Sequence, residues 1–304
     1  MNNILNINSV ADYCSLRNQE LLHPLVSIID FDKVIEEGPK NKKYDAFHFK
    51  CYAIFLKDAK GCKIMYGGKP YDYDDGTLVF ISPNQTIELG GYKPDFVPKG
   101  FALLFHPDLL LGTNLARKMN QYSFFSYSTN EALHLSTKER KVILSVFDKI
   151  QFELEQNLDK HSKKLIVANI ELFLDYCLRF YDRQFLTRDI VNQSSLEKFD
   201  TLLSDYFASD KPLKLGLPSV GYFADHLHLS SNYFGDLVKR ETGISAQEYI
   251  QTKLIHIAKE KVFDFDKSIS EIAYELGFKY PQHFSRLFKQ KVGFSPKDFR
   301  SSIN

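Results

Sequence analysis

The sequence has almost no net charge: 39 Lys and Arg stand against 38 Asp and Glu, leaving +1 over 304 residues. A globally basic nucleic-acid or membrane binder is thereby excluded, and any anionic partner must be met by local clusters. Long apolar runs are missing too. Nothing approaches the ~18 consecutive apolar residues that cross a bilayer, and the opening MNNILNINSVADYCSLRN has neither a basic start nor a signal-length apolar core. These absences predict a soluble, cytoplasmic protein with no membrane partner. Cysteine is scarce. Cys14, Cys51, Cys62 and Cys177 are widely spaced with no C-x-x-C pair, which fits small apolar thiols in a reducing cytosol better than a disulfide framework, a metal site or a redox site. What the chain has in quantity is 26 Phe and 17 Tyr in a 44% hydrophobic composition, ample to bury cores in about two domains.

Residues 25–105 alternate short apolar or aromatic runs with Gly-Gly, Asp-Gly and Pro-Asn punctuation, the pattern of an antiparallel barrel or sandwich. The stretch from Tyr71 to Ile87 resembles a hairpin-rich cupin half, with Asp75-Gly76 and Pro83-Asn84 as its turns. From Ser136 the period becomes 3.6. Ser136-x-x-Glu139 is a capping box, and Val142, Ile143, Val146, Phe147, Ile150 and Leu154 follow at helical spacing. A second helix around Leu165–Phe180 is apolar over a wider arc than one packing partner can cover. Tyr181 to Ser195 has no sustained period and is expected to be a linker. Residues 195–300 read as all-helical, with Ser194-x-x-Glu197, Ser245-x-x-Glu248 and Ser268-x-x-Glu271 as capping boxes, Gly243 and Gly293 as C′ glycines, and Pro281 and Pro296 at N1.

Gly221–Tyr249 and Ser270–Phe299 are copies of one unit at a period of 49 to 50 residues. Ala224 matches Ala273, Leu227 matches Leu276, Phe234 matches Phe284, Leu237 matches Leu287, Lys239 matches Lys289 and Gly243 matches Gly293. In each copy a short helix carrying an alanine meets a tight turn and a second helix, the helix-turn-helix arrangement. Gly277 supplies the permissive turn residue in the second copy. His228 stands there in the first, tolerable because His is enriched in the left-handed region.

The stretch ISEIAYELGFKYPQHFSRLFKQKVGFSPKDFR, Ile269 to Arg300, resembles the DNA-binding domain of AraC/XylS-family transcription regulators. That resemblance covers the last third of the chain closely and implies two helix-turn-helix units joined by a long helix, Ala246 to Phe263, setting two recognition helices into successive major grooves of double-stranded DNA. The expected fold class is α+β. Residues 1–135 form a cupin-like sensory and dimerisation domain, 136–183 a helical dimerisation and packing segment, 184–194 a linker, and 195–304 the double helix-turn-helix domain. The resemblance implies a transcription activator with RNA polymerase as a partner and a small-molecule effector of unidentified chemistry, and the surplus apolar face of the helix from Leu165 to Phe180 predicts a homodimer.

On the second recognition helix, Phe284, Leu287 and Phe288 face inward, leaving Gln282, His283, Ser285, Arg286 and Lys289 for DNA. Arg286 suits guanine, Gln282 suits adenine, and Lys289 suits phosphate. Lys279, Arg286, Lys289, Lys291, Lys297 and Arg300 oppose only Asp298 between 279 and 300, so the helix lies in a basic field. On the first, Ser231, Asn232, Tyr233, Asp236, Lys239 and Arg240 are the contact candidates, and Asp236 stands where Arg286 stands in the other copy.

In the front domain His48 has no H-x-H partner, the position expected of a final histidine is Thr86 or a neighbour, and Glu88 stands alone. The donors of a three-histidine cupin metal site are missing, so neither metal nor cofactor is expected, and His48 reads as a core or pocket-wall residue. No Ser or Cys partner makes a triad with His106-Pro107-Asp108. The chain therefore reads as a regulator and not an enzyme. The competing reading is a cupin-type enzyme fused to a nucleic-acid-binding module.

Overall fold

The computed structural model describes residues 3–33, 44–57, 64–66, 69–71, 76–88, 99–128, 131–187 and 189–301; side chains of 64–66, 69–71, 186–187 and 189–194 fall outside that description. Contacts divide the chain into two units, Met1–Thr187 and Arg188–Asn304.

The first unit contains β1 (Ile4–Ile7), α1 (Val10–Leu16), β2 (Val26–Asp30), β3 (Ala46–Phe49), β4 (Tyr52–Lys57), β5 (Ile64–Tyr66), β6 (Lys69–Tyr71), β7 (Thr77–Ile81), β8 (Gln85–Glu88), β9 (Gly100–Phe105), α2 (Asn114–Lys118), β10 (Leu133–His134), α3 (Thr137–Glu155) and α4 (Ser162–Thr187). Five strands pair in the order β10-β7-β4-β9-β2 and three in the order β1-β3-β8, with β5 and β6 as a separate pair. The large sheet is antiparallel; in the small one β1 runs parallel to β3. The expected barrel is not closed. Among the described residues no ladder joins the two sheets, and the Pro83-Asn84 turn, with Asn84 at φ +66°, is a corner that carries the chain from one sheet to the other instead of closing a hairpin. Asp75 of the other expected turn lies outside the described residues.

Why the large sheet is so apolar follows from its two coverings. One face meets α1 and the small sheet across Tyr13, Phe31, Phe47, Phe49, Ala53, Ile81 and Leu104, where the Tyr13, Phe49 and Phe55 rings pack at 5.9–6.2 Å. The other face carries Tyr52, Phe80, Phe101 and Phe105, which meet Phe124, Phe125, Phe147 and Tyr181. Strands buried on both faces lose the polar alternation of a half-exposed sheet, and TLVFI of β7 is buried at every position. Cys14, Cys51 and Cys177 are buried free thiols, and burial, with the Asp12 charge nearby, pushes Cys51 up to about 11. They are protonated and inert. Cys62 lies outside the described residues.

The Ser136/Glu139 capping box is formed and starts α3. α4 runs back along α3 and continues past 183, and α5 (Asp189–Ala208) begins two residues after α4 ends. The expected linker over 184–194 is helical at every described residue, and the boundary between the two units falls within it. Its first residue, Gln184, is only 3% exposed; it accepts from the His134 amide at 2.8 Å and donates to the Ala132 carbonyl at 3.2 Å. Tyr181 donates to the Glu131 carbonyl, and Arg183 donates to Glu139 and the His134 carbonyl. The end of α4 thus satisfies edge-strand groups of β10 that would otherwise be left unpaired.

The second unit is all helical: after α5 come α6 (Lys211–Leu215), α7 (Val220–His226), α8 (Ser231–Thr242), α9 (Ala246–Lys261), α10 (Ile269–Glu275), α11 (Pro281–Val292) and α12 (Pro296–Ser301). Phe199 of α5 centres one core, with the rings of Phe223, Phe234 and Tyr249 at 4.9–5.3 Å. Phe284, Phe288 and Phe299 run through the other at 5.5–5.7 Å.

Candidate nucleic-acid interface

The two turns are built identically despite different residues. His228 takes φ +59° and Gly277 φ +91°. In each, the following amide reaches back to the alanine carbonyl, Leu229 to Ala224 and Phe278 to Ala273, both at 2.9 Å, and the turn amide itself bonds the next carbonyl along, of Asp225 or Tyr274. These paired bonds are the Schellman closure of a helix end. Gly277 is under a second constraint. A Cβ there would lie 2.7 Å from the backbone of Gly216, in the segment after α6, and the Gly216 carbonyl is itself held by the Tyr206 hydroxyl at 2.9 Å.

Each turn delivers a twelve-residue helix that ends at a left-handed glycine: Gly243 bonds the Lys239 carbonyl and Gly293 the Lys289 carbonyl, both at 2.8 Å. Ser230 caps α8, whereas Tyr280 before Pro281 provides no side-chain cap for α11. Of the three expected capping boxes, Ser268/Glu271 is complete, Ser245 bonds the Glu248 amide, and Ser194 lies inside α5 and starts no helix.

On α11, Gln282, His283, Arg286 and Lys289 are exposed and Ser285 is half-buried. Gln282, Ser285, Arg286 and Lys289 fall at i, i+3, i+4 and i+7, one stripe along the helix. Among the described residues their side chains have no hydrogen-bond or ion-pair partner, so a ligand would meet them uncommitted. His283 instead packs its ring edge on Tyr280, whose other neighbour is the Lys279 ammonium.

On α8, Ser231, Asn232, Lys239 and Arg240 are exposed and Asp236 is half-buried. Tyr233 is 5% exposed and belongs to the core, contrary to its expected place on the contact face. Asn232, Gly235, Asp236 and Lys239 form the stripe in register with that of α11. Gly235 was not among the expected contacts. A Cβ on it would meet nothing within 4 Å, so it is a glycine in open space at mid-helix.

The basic field around α11 is smaller than the residue list implies. Arg300 donates to the carbonyls of Val262, Asp264 and Lys267 at the end of α9, and Lys291 pairs with Glu248 at 3.0 Å. Arg286, Lys289, Lys279 and Lys297 remain. In the first unit of the chain, His48 lies on the outer side of β3, half-buried, where its Nδ1 and the Thr86 hydroxyl share a hydrogen bond of 2.9 Å across the β3–β8 pair. It is not a fully buried core residue. No group of three His, Cys, Asp or Glu able to hold a metal occurs among the described residues.

Two short helix pairs, each closed by a left-handed turn and each presenting a polar stripe on its second helix, define a tandem helix-turn-helix domain. The family described as Helix-turn-helix domain matches residues 223–302. This C-terminal region is a helix-turn-helix domain. The HTH-type transcriptional regulator YfiF of Bacillus subtilis is 33% identical over 142 residues, 46% of this chain and 41% of that protein. The HTH-type transcriptional activator RhaS of Enterobacter sp. is 23% identical over 251 residues, 78% of this chain and 80% of that one. A solved C-terminal domain of the response regulator yesN from Fusobacterium nucleatum, 23% identical, aligns over 35% of this chain and 98% of its own length at a TM-score of 0.32. The chain spans less than half the length of the first curated relatives it matches, 41%, 32% and 10%. No described helix is long and apolar enough to cross a membrane.

Proposed function

We propose that the chain is a sequence-specific, DNA-binding transcription activator of the cytoplasm, with α8 and α11 as recognition helices in successive major grooves. One observation carries the reading: the stripes Asn232/Gly235/Asp236/Lys239 and Gln282/Ser285/Arg286/Lys289 stand in the same register on the second helices of two matched units. Arg286 matches the acceptor pair on guanine, Gln282 the donor and acceptor of adenine, and Lys289 a phosphate. The relatives' names as transcriptional regulators favour this over an enzyme.

The first unit serves as the sensory and dimerising part. Phe152, Leu158, Leu165, Leu172 and Leu178 of the α3–α4 hairpin are exposed, and Leu165 and Leu172, seven residues apart, share one face of α4. A second copy is the occupant, since twofold homodimers are the commonest assembly of such chains. A small-molecule effector and RNA polymerase complete the set of partners.

The test is binding of the full chain to a selected duplex at several salt concentrations. Affinity falls steeply with salt as Lys and Arg displace phosphate counterions, and a random duplex binds far more weakly. A flat salt response, or equal affinity for any duplex, sinks the regulator reading.

A further inference from the structure

The two readers carry opposite charge. In the first unit of the repeat, Gly221–Tyr249, Lys239 and Arg240 stand against Asp225, Asp236, Glu241 and Glu248; in the second, Ser270–Phe299, Lys279, Arg286, Lys289, Lys291 and Lys297 stand against Glu271, Glu275 and Asp298. A copy of the unit with a net negative balance gains little from the phosphate backbone, so its contribution must come from base edges. At the centre of the α8 stripe stand Gly235 and Asp236, in place of Ser285 and Arg286.

Of the groups displayed in the major groove, cytosine N4–H is one that a carboxylate can accept from. Aspartate has one methylene, so its carboxylate reaches a base edge only if the helix backbone comes close. Gly235 permits that approach. It costs the helix ~1 kcal/mol relative to alanine, and within the protein nothing requires it: a Cβ would meet no atom within 4 Å and its φ is not in the left-handed region. A glycine there leaves the helix backbone open to close approach by a ligand.

We propose that α8 reads a cytosine through Asp236, with Gly235 admitting the helix to the depth that the short carboxylate needs. The inference rests on the DNA-binding reading and adds the base class recognised by the first reader. The preferred site then holds a cytosine under α8 and, about one helical turn (~10 bp) away, a guanine under α11.

Selection of bound duplexes from a random pool by the full-length protein tests it. Asp236→Asn converts the acceptor into an amide suited to adenine, so one cytosine position changes to adenine while the guanine position keeps its preference. Asp236→Ala loses the cytosine preference, weakening the selected site about five- to a hundredfold and leaving other duplexes unaffected. Replacing that cytosine by N4-methylcytosine weakens the wild type and not Asp236→Ala, a readout made in the DNA that no folding defect can imitate. Gly235→Ala melts higher than wild type and binds the selected site at least about fivefold more weakly, a loss that instability cannot explain. The proposal is overturned if Asp236→Ala tightens every duplex alike, which marks a carboxylate that only repels phosphate, or if Gly235→Ala binds unchanged. Arg286→Ala keeps the two readings apart. If it loses the guanine while the Asp236 variants select as wild type does, only the cytosine inference falls; if the wild type selects nothing, the DNA-binding reading falls with it.

Discussion

Under the proposed DNA-binding reading, Arg286 is the side chain that gives the second recognition helix its base contact. It is exposed at the centre of the α11 stripe, and a bidentate guanine contact discriminates by ~1–3 kcal/mol. Arg286→Ala is expected to weaken the selected site by that amount and relax one base position, with melting unchanged, as read by binding isotherms on cognate and singly mutated duplexes. Such residues were legible beforehand because they alternate with Phe284 and Phe288, whose burial is unambiguous. Tyr233 was not. Its phenol suits either water or core, so its burial cannot be read from residue type alone. His228 and Gly277 were legible as turn residues, but the approach of Gly216 to Gly277 joins residues about sixty positions apart and leaves no local pattern. Gly277→Ala should cost well above ~1–2 kcal/mol, since left-handed strain comes with a 2.7 Å backbone overlap. His228→Gly should change stability by less than ~1 kcal/mol. Denaturant unfolding of the two variants compares them directly.

At the scale of elements, punctuation is more informative than composition. Pro281, Gly243, Gly293 and the Ser136 and Ser268 boxes all sit where a helix begins or ends, because caps act within one turn. The S-x-x-E pattern at Ser194 failed because the same four residues occur inside a helix whose earlier turns already satisfy the amides. The helical state of the run after Tyr181 was not legible for a related reason. α4 holds on by specific bonds from Tyr181, Arg183 and Gln184 to one edge strand, and such anchors have no apolar period. Ser268→Ala is expected to cost about 1 kcal/mol of stability. A pH effect accompanies this cap. The Ser268 amide and hydroxyl hold the Glu271 carboxyl below its ordinary 4.5, and the Lys267 ammonium, joined by Lys261, does so for Glu275 against the opposing effect of burial. Both contribute stability above pH 4.5 that is lost as pH falls through their lowered values. Thermal melts in acid should show that loss, and Glu271→Gln, which keeps the reach back to Ser268 but cannot titrate, should reduce it.

For the whole molecule, the repeat announced the C-terminal domain, while the front architecture was only half visible. Strand runs and the turn at Pro83-Asn84 could be read, but whether that turn closes a hairpin or a corner, and whether strands close a barrel, depends on pairings between distant segments, and alternation within one run says nothing about them. The proposed dimer face on α3 and α4 belongs to this scale as well. Charging that face with Leu165→Glu and Leu172→Glu together is expected to shift the full chain from dimer to monomer in sedimentation without lowering its helix content. The contact of Gly216 with Gly277 bears on the history of the two readers. Two copies of one unit began as equivalents, yet the second now has another segment resting on its turn and the first does not. A histidine can occupy position 228 but would strike backbone at position 277, so exchanging the units between the two places, in a chimera or by recombination, works in one direction only: duplication made the copies alike, and packing has made them distinct parts.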